Sequence, residues 1–351
     1  MTPAVFCASL VATEIGAQSV NTATARNAVA ASGMRQMLKH MLLVTSLMFA
    51  AAAGAWSAAA QESQVEIELW CMSPKSSDDQ KITGCTQLIQ SGLQLVQSGL
   101  LKQEDLASAY YTRGSAYYDK GDLDRAIADF TEAIRLNPKD ANVNAALFYA
   151  ARGQAYDDKN DLDRAIADFT QAIQLNPKNA EAYFGRGRAH YQKGELDSAI
   201  ADYTQAIQFD PTDAQAYKNR GIAYYDKHDF DRAIADLTHA IQLNPKNALT
   251  YMMRGLAYGD KGDLDRAIAD FTQAIQIDPE NALGYDNRGD AYRAKGDFDI
   301  AIADYTIAIR LDPNDAVAFF GRGLAKQRIG DEAGGVADIA RARQINPNVG
   351  D

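Results

Sequence analysis

Seven prolines, each preceded by Asn or Asp, stand at Pro138, Pro177, Pro211, Pro245, Pro279, Pro313 and Pro347. The last six are spaced by 34 residues and the first gap is 39. A glycine lies 24 residues ahead of each: Gly114, Gly153, Gly187, Gly221, Gly255, Gly289 and Gly323. A constant period of this length is the mark of a repeat array. It excludes a single globular core, because each unit must bury its apolar face against its neighbours.

The unit 248–281 reads ALTYMMRGLAYGDKGDLDRAIADFTQAIQIDPEN. Tyr251, Gly255 and Tyr258 recur at spacings of four and three, one stripe of a helix. Gly262 supplies a left-handed exit, and Asp263 is placed to cap a second helix. That helix carries Leu264, Ala267, Ile268, Phe271, Ala274 and Ile275 on one face. Pro279 ends it, and Asn281 is placed to cap the next unit. The same capping place holds Asp140, Asn179, Asp213, Asn247 and Asp315. The expectation is an all-α chain of antiparallel helix pairs.

These residues resemble the tetratricopeptide repeat family at its signature places, here Tyr251, Gly255, Tyr258, Ala267, Phe271, Ala274 and Pro279. The match recurs at Tyr110, Gly114, Tyr117, Ala126, Phe130, Ala133 and Pro138. The resemblance covers 107–349, with units 107–140, 146–179, 180–213, 214–247, 248–281, 282–315 and 316–349. It implies a right-handed superhelical solenoid whose first helices line a concave, peptide-binding groove. Five extra residues around Ala141–Ala145 are expected to add a turn to a first helix or to bulge. The last unit is eroded at Lys326, Glu332, Gly335 and Arg343, as a polar end cap would be. At the other end, 61–106 forms a capping segment in which Asp78–Gln90 reads as a lone helix, and 88–100 as its extension or a loop.

By the same resemblance, the groove is lined by first-helix places that vary between units. They are Tyr111, Tyr118, Phe184, Arg188, Tyr191 and Lys218, then Ile222, Tyr225, Met252, Leu256 and Phe320. Uniform residues build and non-uniform ones select, so aromatic, Met and a few basic side chains suit a peptide with apolar anchors. Plain solvated surface is the competing reading. The Lys and Asn set that clamps carboxyl termini in some relatives is incomplete: Lys218 and Asn219 are present, but no Asn stands at Ser115, Arg188, Ile222 or Leu256.

An Arg precedes every repeat glycine, and an Asp follows each Arg by 16 residues, as in Arg113/Asp129 and Arg254/Asp270. The matched counts favour structural ion pairs between helices over an arginine ladder for an anionic ligand.

Chemistry-bearing constellations are sparse. His190, His228 and His239 lack metal-ligand spacing. Asp263-Leu264-Asp265 lacks the later ligands of a calcium loop. Neither a phosphate-binding glycine loop nor a nucleophile elbow is present. No metal, cofactor or catalytic residue is therefore expected. Acidic residues outnumber basic ones by 46 to 35, which argues against nucleic acid as a partner.

Residues 34–60 have a basic start (Arg35, Lys39), an uncharged run from Met41 and an Ala58-Ala59-Ala60 end. This is the build of a secretory signal, with cleavage expected between Ala60 and Gln61. Residues 1–33 would then be an upstream extension. Export predicts a periplasmic or secreted chain in which Cys71 and Cys85 pair as a disulfide. The alternative is an uncleaved helix over 41–60, long enough to anchor the protein in the inner membrane. The functional expectation is a non-enzymatic, protein- or peptide-binding scaffold of the cell envelope.

Overall fold

A computed structural model describes residues 70–71, 73–99, 101–137 and 143–350. The extension, the signal segment with Ala60 and Gln61, and the capping place Asp140 lie outside the described residues. Among the described residues there are fifteen helices and no strand. They fall into two compact bodies that divide between Lys193 and Gly194.

The first body holds α1 (Asp78–Gln97), α2 (Gln103–Asp119), α3 (Leu123–Leu136), α4 (Val143–Asp158), α5 (Leu162–Leu175) and α6 (Ala180–Gln192). The second holds α7 (Leu196–Phe209), α8 (Ala214–Asp226), α9 (Phe230–Leu243), α10 (Ala248–Asp260) and α11 (Leu264–Ile277). It continues through α12 (Ala282–Lys295), α13 (Phe298–Leu311), α14 (Ala316–Arg328) and α15 (Glu332–Ile345). Within each body successive helices pack as hairpins, and first helices also meet the next first helix, as α4 meets α6 and α12 meets α14. This is the all-α solenoid of helix pairs that the period requires.

Local chemistry sets the turns. Gly262 takes φ +81, and the Asp263 side chain accepts from the Arg266 N–H at 3.2 Å. The Arg266 side chain returns to Asp263 at 2.6 Å and lies 4.5 Å over the Tyr258 ring. The same cap forms at Asp122, Asp161 and Asp229. Where Ser198 and Ile300 replace the arginine, the side chains of Glu195 and Asp297 do not cap their helices. At two turns the left-handed place is held by Asn160 and His228 instead of glycine. First-helix caps are supplied by Asn179, Asp213, Asn247, Asn281 and Asp315.

Packing explains the invariant small residues. A Cβ on Gly255 would lie 2.7 Å from the Phe271 ring, closer than real contacts come. Ala126, Ala165, Ala199, Ala233, Ala267 and Ala301 are fully buried at one helix crossing repeated along the chain.

At the start, α1 opens with a capping box between Ser77 and Gln80 and continues to Gln97, so the 88–100 echo is mostly helix extension. Leu88 and Ile89 hold it against Leu106 in a shared core. Cys71 and Cys85 are joined by a disulfide, with Cα atoms 4.6 Å apart. The longer α4, 16 residues against 13 in α6, takes up part of the insertion before it. At the far end Val349 and Phe320 join Ala316 and Ala342 in a small core that closes the last pair.

Candidate functional site

The arginine ladder is structural. Arg254 donates from Nε and Nη2 to Asp270 at 2.8 and 2.7 Å. Equivalent two-bond pairs join Arg113 to Asp129, Arg152 to Asp168, Arg220 to Asp236, Arg288 to Asp304, and Arg322 to Asp338. Each guanidinium also donates from Nη1 to a threonine on the preceding second helix, Thr238 for Arg254 at 3.0 Å. Each guanidinium nitrogen thus has an acceptor within the repeat array, which favours a structural role over anion binding.

Other polar rungs run between successive first helices. The Tyr118 hydroxyl on α2 donates to Asp158 on α4. From α6, Arg188 donates to Asp157 at 2.6 Å and to Asp158 at 3.4 Å. Burial pushes the Asp157 carboxyl upward, and Arg188 only partly offsets that. Burial also raises the Tyr118 phenol, with the Asp158 bond adding to it. In the second body the Tyr225 hydroxyl on α8 donates to Asp260 on α10 at 2.7 Å.

The predicted groove residues therefore sit at different depths. Phe184, Ile222, Tyr225, Met252 and Leu256 are buried between helices, and so are Arg188 and Lys218 at 4% and 3% exposure. Tyr111 is half-buried, with its ring 5.7 Å from Phe130 and 5.2 Å from Phe148. Tyr118, Tyr191 and Phe320 are half-buried too. The deep members pack between the helices, and the half-buried aromatics keep part of their rings exposed.

Sequence reasoning missed three sets of groups. Of the acceptors, Asp158 and Asp260 share one register place with Asp119 and Asp226, a signal that was passed over, whereas Asp157 has no acidic counterpart in the other units. Asp286 and Asp290, on the face of α12, were also passed over. The third set is a ladder of lysines, Lys120, Lys159, Lys193, Lys227, Lys261 and Lys295. They pair with Asp79, Asp124, Asp163, Asp197, Asp231 and Asp265 of the preceding unit. A signal existed, since four of these pairs share a separation of 30 residues. Among the described residues no group of three His, Cys, Asp or Glu could hold a metal ion, and no helix is long and apolar enough to cross a membrane.

Comparison with known families decides the class. Residues 107–140, 150–214 and 218–282 match the tetratricopeptide repeat, and 289–330 match a TPR repeat description, together more than half of the chain. The chain belongs to the tetratricopeptide repeat family. No curated protein matches its sequence. Among solved structures, a tetratricopeptide repeat protein from Parabacteroides merdae is 22% identical with TM-score 0.53, over 69% of this chain and 94% of that one. Pseudomonas aeruginosa pilF is 16% identical with TM-score 0.51, over 58% and 92%. YrrB, a TPR protein with an unusual peptide-binding site, is 22% identical with TM-score 0.46, over 52% and 93%. These likenesses are of fold. Tetratricopeptide repeat proteins are interaction scaffolds and generally not catalysts, and that coarse role comes with the family.

Proposed function

We propose that this tetratricopeptide repeat protein is a non-enzymatic scaffold of the cell envelope that holds a peptide or protein segment along its first-helix faces. The observation that carries the reading is a division of labour within one chain. Signature places keep one residue class in most units and are engaged in packing or in Arg–Asp–Thr links. The places beside them change from unit to unit and present half-buried aromatic rings, Tyr111, Tyr118, Tyr191 and Phe320. Rings of this kind offer a large contact area with little entropy to lose. Export is supported by the signal-like segment 34–60 and by the Cys71–Cys85 disulfide, which suits an oxidising compartment.

The test is affinity capture from envelope extracts with the wild-type chain beside a Tyr191→Ala/Phe320→Ala variant. Loss of specific captured proteins supports the first-helix faces as the binding surface, and identical captured sets overturn it. N-terminal sequencing of the exported chain tests the compartment: a mature start at Gln61 supports cleavage. Recovery only after detergent supports the anchored form instead.

A further inference from the structure

The face of α12 carries a buried carboxyl group with one oxygen left unpartnered. Asp286 is only 5% exposed, and its Oδ1 has no hydrogen-bond partner. One turn on, Asp290 is fully occupied on one oxygen: its Oδ1 accepts from the Tyr305 hydroxyl at 2.7 Å and from Arg293 at 2.9 Å. Arg293 in turn donates from Nε to the Tyr305 oxygen at 3.1 Å. The one cation bearing on this group is therefore committed to Asp290 and Tyr305. Asp315, the cap of α14, adds a third carboxylate whose Oδ1 accepts from the Ala318 N–H at 2.9 Å. Three acidic groups thus face one arginine.

Burial, reinforced by Asp290 and Asp315, pushes the Asp286 carboxyl well above the usual carboxylate range, and Arg293 opposes this only weakly. A buried carboxylate without a partner is costly. The residue type chosen at this place deepens the contrast. In the 34-residue register Asp286 occupies the place held by Lys218, Met252 and Phe320 in neighbouring units, the row assigned above to recognition. A scaffold has no need of an unpaired acid there.

We propose that Asp286, with Asp290 and Asp315 beside it, seats the cationic head of a lysine or arginine of the bound peptide. This rests on the first-helix binding reading and names the chemistry that one position on those faces selects. A divalent metal does not fit, because no three of these groups are arranged to hold one. A single ammonium or guanidinium matches the deficit in chemistry: it would supply the donor that Oδ1 lacks and offset the local excess of acid. Phe320, half-buried on the following unit in the same register, favours an apolar residue beside the cation in the peptide.

The test is selection of random dodecapeptides by mRNA display on the full chain, run in parallel on Asp286→Asn. The wild type should enrich one fixed Lys or Arg with an apolar neighbour, and the variant should enrich the neighbour without the cation. Resynthesised wild-type winners should lose about tenfold or more in affinity when that residue becomes norleucine, as for other desolvated charge pairs. The norleucine comparison needs no altered protein, so the outcome holds even if the variant folds poorly. A pool with no fixed cation, or equal enrichment of it on Asp286→Asn, overturns this proposal and leaves peptide binding standing. An empty wild-type selection overturns both.

Discussion

Arg254 meets Asp270 through two parallel hydrogen bonds, at 2.8 and 2.7 Å, at the crossing of α10 and α11. The pair is mostly withdrawn from solvent, at 17% and 6% side-chain exposure. Removing either partner strands a charge, at a cost of about 3–5 kcal/mol, whereas the intact pair adds little over an apolar substitute. Arg254→Leu and Asp270→Leu should each lower the urea midpoint strongly, and the double variant should recover most of the loss. A double-mutant cycle measures this, and additive losses would refute the coupling.

A tight approach at Gly255 supplies the second prediction. Its missing Cβ leaves room for the Phe271 ring, which a methyl would meet at 2.7 Å. Gly255→Ala should destabilise by about 1–3 kcal/mol through overpacking, despite the better helix propensity of alanine. Urea unfolding of the two proteins decides the sign: a stabilised variant would contradict the crossing.

Asp286 makes stability depend on pH in a direction opposite to most acids. Its folded-state pKa is raised, so the neutral form is favoured by folding and the penalty appears as pH rises through that value. The groups facing it are Asp290 and Arg293 on α12 and Asp315 at the start of α14. Asp286→Asn should therefore melt above the wild type at neutral pH. The gap should close as pH falls toward the ordinary carboxylate range, about 4. A gap that stays constant from neutral pH down to about 4 would show that the shift is absent.

The Cys71–Cys85 bridge closes a short loop against α1. Its loss should cost about 3 kcal/mol, by constraint of the unfolded segment. Because repeats contact only their neighbours, the loss should stay local. Hydrogen exchange with and without reductant should accelerate in α1 and α2 while α10–α15 keep their protection; uniform acceleration would argue against local stability.

The lysine ladder should matter far less. Lys261 and Asp231 are both solvent-facing, at 40% and 82% side-chain exposure. Lys261→Ala should cost under about 1 kcal/mol and less at high salt. A larger loss in urea midpoint would mean the ladder is cooperative.

Much of this architecture could be read from residue order alone. The 34-residue recurrence of Asp-Pro or Asn-Pro, the Gly262 turn and the Asp263 cap specify helix pairs locally, and the structure keeps each of them. The Arg254–Asp270 pair was legible because both members recur in step. Its third partner, Thr238, recurs as well but belongs to the preceding unit, so intra-unit reading passes it by. The binding face was harder. Period and polarity place Met252, Ile222 and Arg188 on first helices, but depth is set by how the next first helix leans across them. Arg188 looks like a surface cation in sequence and is spent on Asp157 and Asp158. Asp286 shows the converse: nothing in its neighbours' residue types announces that it lacks a partner.

The threonine that each guanidinium reaches across to has one more implication. Every described boundary between neighbouring pairs offers the same acceptor on one side and the same donor on the other. Deleting or duplicating a whole 34-residue block would bring together ends that already fit. The length of such a chain is then adjustable by genetic slippage, one increment at a time, with selection left to act on what each new face can grasp.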